Sequence, residues 1–352
     1  MKKLMYILPL IALIFLSCER RPLLELSSTH YVRVYINENI KNITEGFYNE
    51  NYERPHYDSP DVLRLILADP ATGIVKAERF LRNIGEDERG IYYDGYIYAE
   101  PGTYSLMAYN FDTETTVVTN SNNCTEAKAY TNVIASHISS NIPSRNQHSS
   151  DEKIVYDPDH LFAANCGEVK IGYNSEVDTL RTPEGDHFTA ESIVKSYYLQ
   201  VHVKGLEFVS TSIGLLSGMS GSSYINGSGM IENDPVTIYF EMLPGMLSGA
   251  AGISKTNTEG ITTIYTTFST FGKIENAQNA LNITFDFHTI YGEPYSETLN
   301  ITDLFYTELA RDKQWLLIEH TINIPEPPKV GGDGGFKPTV NEWGDIKSEL
   351  EL

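Results

Sequence analysis

Leu281-Asn282-Ile283-Thr284-Phe285-Asp286-Phe287-His288 alternates without a break: every odd position is apolar and every even one polar. A period of two places one set of side chains on each face of an extended chain, so the octet reads as a half-buried antiparallel strand. The same grammar extends outward in both directions. Val236, Ile238, Phe240 and Met242 alternate with Thr237, Tyr239 and Glu241, and Leu199, Val201 and Val203 with Gln200, His202 and Lys204. Ile318, His320, Ile322 and Ile324 run up to Pro325. In the first half, Val32, Val34 and Ile36 alternate with Tyr31, Arg33 and Tyr35, and Leu63, Leu65 and Leu67 with Arg64 and Ile66. After Pro101-Gly102 the pattern is Tyr104, Leu106 and Ala108 against Ser105, Met107 and Tyr109. Helical periodicity is rare. One short helix is expected within Thr302 to Asp312, with Thr302 as its cap. Many short strands separated by Gly, Pro, Asn and Asp predict an all-β chain of β-sandwich domains.

The polar stretch Asn174 to Asp186, with Pro183-Glu184-Gly185, reads as a linker. A second shift comes at Pro325-Glu326-Pro327-Pro328 and Gly331-Gly332-Asp333-Gly334-Gly335. The expected organisation is therefore a sandwich over 30–175, a linker over 176–190, a second sandwich over 191–325, and a Pro/Gly-rich segment and tail over 326–352.

The start of the chain speaks to location. Met1-Lys2-Lys3 is a basic cap on an apolar run, Leu4 to Leu16, that is too short for a comfortable membrane span. It ends in Phe15-Leu16-Ser17-Cys18. A small residue directly before a cysteine here resembles a bacterial lipobox. That resemblance implies removal of residues 1–17, diacylation of Cys18 and a tether over 18–29 attaching the protein to a membrane, while Glu19-Arg20-Arg21 does not decide between inner and outer. Several acyl chains give stable anchoring where one is marginal.

Of 352 residues, 26 are Lys or Arg and 47 are Asp or Glu. Without residues 1–17, 24 basic residues face 47 acidic ones, a net charge of −23. Such a surface repels phosphate backbones, which excludes nucleic acid as a partner. With Cys18 lipidated, Cys124 and Cys166 remain. They could form a disulfide in an exported protein, or Cys166, beside Phe162-Ala163-Ala164-Asn165, could equally be a buried free thiol.

No residues point to catalysis, a cofactor or a metal. The nine histidines show neither HxH nor HxxxH spacing. Asp157-Pro158-Asp159-His160 reads as a turn, and His202 and His288 sit on polar strand faces. His320, in phase with apolar neighbours, is expected to be half-buried. Ser217-Gly218-Met219-Ser220-Gly221 has the wrong spacing for a nucleophile elbow. In Tyr92-Tyr93-Asp94-Gly95-Tyr96-Ile97-Tyr98, alternation gives a strand with one tyrosine face. A glycan platform involving Tyr93, Tyr96 and Tyr98 is the alternative, which would suit a surface glycan- or nutrient-binding lipoprotein of an uptake system.

Several features together resemble the fimbrillin-like lipoproteins of Bacteroidales. These are the lipobox with a strand soon after it, Glu100-Pro101-Gly102-Thr103-Tyr104, and Asp157-Pro158-Asp159-His160-Leu161-Phe162. The small-residue stretch Thr211 to Gly229 and the tail with Phe336 and Val340-Asn341-Glu342-Trp343 complete the set. The resemblance is closest to an uncharacterised branch akin to type V pilus anchor subunits. It implies two tandem transthyretin-like Greek-key sandwiches displayed on the outer membrane as fimbrial stalk, anchor or tip subunits. The implied partners are other pilin-like subunits joined by strand pairing, and a host or bacterial surface ligand. It also implies that stalk subunits lose their first strand by cleavage after an arginine. Here the loop after the first strand, up to Asp61, offers only Lys41 and Arg54, and Arg54 precedes Pro55. The first strand is therefore expected to stay, as suits an anchor or terminal subunit. In the tail, Val340, Ile346, Leu350 and Leu352 share one strand face that could pair with a partner's sheet edge, while Trp343, Ile346 and Leu350 share a helix face that could pack on the chain itself.

Overall fold

The structure is a computed structural model that describes residues 29–37, 59–147, 152–172, 177–242, 252–253, 256–274 and 281–327. The residues carrying the lipobox with Cys18, the Arg54-Pro55 bond and the tail positions Val340, Ile346, Leu350 and Leu352 lie outside the described residues.

The strands in the first half are β1 (Thr29–Asn37), β2 (Leu63–Ala68), β3 (Val75–Leu81), β4 (Asn83–Asp87), β5 (Gly90–Tyr98), β6 (Gly102–Asn110), β7 (Thr116–Thr119), β8 (Lys128–Thr131), β9 (Lys153–Tyr156), β10 (Phe162–Ile171), β11 (Asp178–Thr179) and β12 (Phe188–Ser192). Those in the second are β13 (Lys195–Lys204), β14 (Val209–Ser220), β15 (Ser222–Tyr224), β16 (Pro235–Glu241), β17 (Gly252–Ile253), β18 (Ile261–Thr270), β19 (Asn282–Thr289), β20 (Pro294–Asn300) and β21 (Trp315–Asn323). The chain is all-β, with only two short α-helices among the described residues, α1 (Ser136–Ser139) and α2 (Glu308–Asp312).

The first sheet runs β3-β2-β6-β10-β12-β1-β5-β4, with β11 also paired to β1. Its alternating apolar residues point to one side, and the sheet curls to bury them, bringing β3 against β5. Leu63, Leu65 and Leu67 of β2 thus share a core with Val32 and Val34 of β1 and with Tyr93 and Ile97 of β5. The second half is a two-layered sandwich. Sheet β17-β18-β13-β21 faces sheet β20-β19-β14-β16 with β9 at its edge. Ile283, Phe285 and Phe287, the apolar face of the octet that opens the sequence argument, are each 0% exposed in that core. Across the two layers, Phe240 stacks on Phe268 with ring centroids 4.6 Å apart.

The stretch expected as a linker is instead structural. β11 and β12 lie beside β1, with Val34 opposite Phe188 in a parallel pairing, and Leu180, Phe188 and Ala190 are buried in the first core. Apolar residues spaced through a polar stretch were enough to place it in the sheet. Two strands also cross the expected boundary. β9, from the first half, pairs in parallel with β16, and Val155 enters the second core. β15, from the second half, extends the small sheet β15-β8-β7 beside the first. Ile225 and Phe271 of the second half join Ile66, Met107, Tyr109 and Ala127 of the first in one cluster.

Three local expectations change. Thr302 is no helix cap: its hydroxyl accepts from the Leu281 amide, a 3-10 turn follows over Asp303–Tyr306, and Thr307 caps α2 by accepting from Ala310 N–H. His320 is exposed, because two extra residues of β21 (Glu319 and His320) bulge out between the pairs Val201–Ile318 and His202–Thr321. There it pairs with Glu297 of β20. Asp286, on the polar face of the octet, is fully buried, since α1 and the 3-10 turn Pro143–Gln147 belong to a segment that covers this face. Ser144 donates to its Oδ2 from both hydroxyl (2.7 Å) and amide (3.3 Å).

Candidate functional site

β1 sits inside its sheet, antiparallel to β5 along most of its length and parallel to β11 and β12 on the other side. β1 is thus paired by its own chain on both flanks, over 29–35 with β5 and over 30–31 and 34–37 with β11 and β12, so among the described strands it fills this place in the sheet. Edge strands among those described include β3 and β4 of the first sheet and β20 and β21 of the second sandwich. Such edges present unpaired backbone donors and acceptors to a partner's strand. Charged residues such as Lys76, Glu78 and Glu86 on β3 and β4, and Glu297 and Glu319 on β20 and β21, restrain indiscriminate pairing.

The outer face of β1 and β5 is a tyrosine surface set by the register that places Tyr31 opposite Tyr96, Arg33 opposite Asp94 and Tyr35 opposite Tyr92. Tyr31 and Tyr96 meet edge to face at 5.5 Å, as do Tyr35 and Tyr92 at 5.6 Å. The Arg33 guanidinium lies 3.8 Å from the Tyr92 ring centre and pairs with Asp87 at 3.1 Å. Tyr31 donates to Asp94 (2.6 Å) and Tyr35 to Asp87 (2.7 Å). The Tyr35 hydrogen bond, with the Arg89 amide, holds the Asp87 carboxyl below its usual range. Gly85 lets the Tyr92 ring lie close over the strand, since a Cβ at that position would meet the ring. Tyr96 and Tyr98 are 55% and 67% exposed, whereas Tyr93 is 0% exposed on the opposite face. The three tyrosines named for a glycan platform therefore do not share a surface.

The Asp157-Pro158-Asp159-His160 segment is a joint. The Asp159 carboxylate accepts from the Thr115 and Thr116 amides and the Thr115 hydroxyl, at 2.6 to 2.9 Å. Asp157 N–H reaches Tyr239 O of β16, in the second sandwich. Burial pushes the Asp157 carboxyl up to about 7 against a hydrogen bond from the Ser269 backbone, with Asp159 and Glu241 adding to the rise. Burial likewise raises Glu241 and drives His160 down to about 4. Among the described residues no three His, Cys, Asp or Glu side chains gather as a metal site.

Ser220 is buried, its single hydroxyl proton shared between Ser222 O at 2.7 Å and Ile231 O at 2.8 Å, just beyond a bulge in β14 where Gly218 takes φ +80°. The serine stretch is thus a strand irregularity. His202 bonds Thr263 through Nδ1 at 2.9 Å. Cys124 and Cys166 are free thiols in separate apolar clusters. Cys124 is buried, which pushes its thiol up to about 11.

A feature missed at the sequence level lies on the outer face of β3, β2 and β6. Phe80, Arg64 and Tyr109 form a row across the three strands and, with Phe111 and Val117, line an open cavity of about 400 Å³. Asp69-Pro70-Ala71-Thr72-Gly73 was the available signal. Asp69 Oδ1 accepts from the Ala71 and Thr72 amides and Gly73 takes φ +72°, so this turn fixes Arg64 opposite Phe80.

The family model described as Domain of unknown function (DUF5119) matches residues 83–241, from β4 to β16 across both sandwiches. A candidate fimbrium anchoring subunit of Bacteroides ovatus is 28% identical over 266 residues, covering 69% of this chain and 73% of that protein. The crystal structure of a candidate adhesin, also from Bacteroides ovatus, shares the fold with a TM-score of 0.54 at 20% identity, covering 88% of this chain and 97% of that one. The chain is thus similar in sequence to a candidate fimbrium anchoring subunit and in fold to a candidate adhesin, as the resemblance to fimbrillin-like proteins of Bacteroidales leads one to expect.

Proposed function

We propose that the chain is an anchoring or accessory subunit of a fimbria at the cell surface, tethered to the outer membrane through lipidated Cys18. It acts by pairing strands with other subunits, and its role is structural rather than catalytic. The observation that carries this reading is the position of β1. It is bonded by its own chain on both sides, so the protein can offer an edge or a tail to a neighbour without accepting a strand at its own centre. That asymmetry suits the end of a fibre. Similarity to a candidate anchoring subunit over most of the chain supports the same role.

Amino-terminal analysis of the mature protein after native export tests the tether and the retained strand together. The expected product begins at lipid-modified Cys18, and a product beginning at Pro55 overturns the reading. Deleting the gene should release fimbriae into the medium. Unchanged surface fimbriae with impaired glycan uptake would instead favour a nutrient-binding lipoprotein.

A further inference from the structure

We propose that the cavity on the outer face of β3, β2 and β6 is a binding site for a neutral saccharide. Its ring would lie against Phe80 and Phe111, and two adjacent hydroxyls would meet Arg64, which lines the cavity, and its partner Glu78, which lies beside it outside the lining. This proposal is independent of the anchoring role.

Phe80 and Phe111 are 42% and 41% exposed, with centroids 5.3 Å apart. Two large rings left half in water on an otherwise acidic surface form a wall of π-faces, which attract the weakly positive C–H groups of a sugar ring. Beside them Arg64 is held rigidly. Its Nε and Nη2 donate to Glu78 Oε2 at 3.0 and 2.6 Å, and its Nη1 donates to the Tyr109 hydroxyl at 2.9 Å. A guanidinium carries five N–H donors, and these bonds use three. The remaining donors sit next to a carboxylate whose bonds to Arg64 use Oε2 alone, and Glu78 is 46% exposed.

A fixed donor beside a fixed acceptor matches a pair of neighbouring hydroxyls, since each hydroxyl both accepts and donates. The Arg64 side chain is only 15% exposed, so these donors are largely removed from competing water. Glu78 already neutralises the guanidinium, and the chain's net charge of −21 repels anions, so an uncharged ligand is favoured over a carboxylated one. The cavity's volume of about 400 Å³ falls within the common range for small-molecule sites.

The test uses the full chain in a detergent without a sugar headgroup, applied to an array of neutral and carboxylated glycans. Retention of neutral glycans, competed by free neutral methyl glycosides, is expected. Phe80→Ala with Phe111→Ala should weaken that binding at least roughly tenfold, a change of about 1.4 kcal/mol. Phe80→Leu preserves bulk without the π-face and should also weaken it, which covers the case where the double variant misfolds. Glu78→Gln leaves Arg64 with an unbalanced charge and should shift retention toward carboxylated glycans, whereas Tyr96→Ala should change nothing. The proposal fails if the wild type holds no neutral glycan. It also fails if folded Phe80→Leu binds as the wild type does, or if Tyr96→Ala abolishes binding.

Discussion

Val155→Ala separates the strand exchange from chain-order domains. Val155 lies within the first 175 residues, yet its side chain is 2% exposed in the core of the second sandwich, opposite Ile238 of β16. Losing two buried methyl groups costs about 1.6 kcal/mol at about 0.8 kcal/mol each. The space they leave adds roughly 1 kcal/mol at ~24 cal/mol per Å³. A loss of about 2–3 kcal/mol should lower Tm by about 5–10 °C. Hydrogen exchange followed by mass spectrometry locates the damage. Faster exchange is expected in peptides covering β13, β14, β16 and β19, on the far side of the expected boundary. Exchange that quickens only in β1, β5, β6 and β10 would refute the assignment of β9 to the second core.

Other expectations follow from buried groups and close contacts. Asp157 has its pKa raised to about 7 by burial, with Asp159 and Glu241 adding, so its neutral form is the one the fold prefers. Its contribution is fully present below the unfolded carboxyl pKa of about 4 and is lost as pH climbs to about 7. Thermal melts from pH 4.5 to 7.5 should therefore show the wild type losing more stability than Asp157→Asn, and parallel curves would exclude this. Gly85→Ala forces only the half-exposed Tyr92 ring aside and should cost about 1 kcal/mol, whereas Gly214→Ala collides with core-fixed Phe240 and should cost nearer 3 kcal/mol. Equal losses in urea titrations would contradict that ordering. A thiol reagent should label half-exposed Cys166 in the native protein and buried Cys124 only after unfolding. Two thiols labelled at the same rate would refute the placement.

The strands were legible where one face meets solvent or a thin cover. The first strand at 31–36 reads correctly because alternation survives where only one face packs, and the octet at 281–288 because the face buried under the 134–147 segment kept its polar residues. β6 shows the limit: Leu106, Met107, Ala108 and Tyr109 are all buried, since its outer face is covered by the small sheet and by the second half. What could not be read was partnership. Lys153-Ile154-Val155-Tyr156 is a plain short strand by composition, and nothing local says that its partner is Val236 to Tyr239 rather than a neighbour in the first sheet. Alternation across 178–192 was diluted by polar turns, which hid β11 and β12. The bulge that turns His320 outward is likewise set by pairing with β13 rather than by the residues of β21 alone. In the tyrosine strand, parity with Ile97 was enough to send Tyr93 inward. The cavity at Arg64 needed two hairpin registers at once, and only the turn at Asp69 to Gly73 was available to supply one of them.

The exchange of β9 and β15 bears on the proposed anchoring role through the direction of force. In the proposed role, a chain tethered at Cys18 and loaded by a fibre would take tension at the amino-terminal end of β1. β1 lies between β5 and β12, so pulling along its axis shears the ladders on both sides, and their hydrogen bonds resist together rather than opening one by one. Beyond the first sheet, the chain passes to the second sandwich through the two residues between β12 and β13. A simple tandem would carry the whole load on that connection. Here β9 is bonded into the second sandwich and β15 into the small sheet beside the first, so separating the halves also requires stripping both strands from their partners. The shared cluster around Ile66, Tyr109, Ile225 and Phe271 would have to open to water at the same step. The two sandwiches therefore resist extension as one body, a property that matters to a protein holding a fibre and has no counterpart in a freely hinged pair.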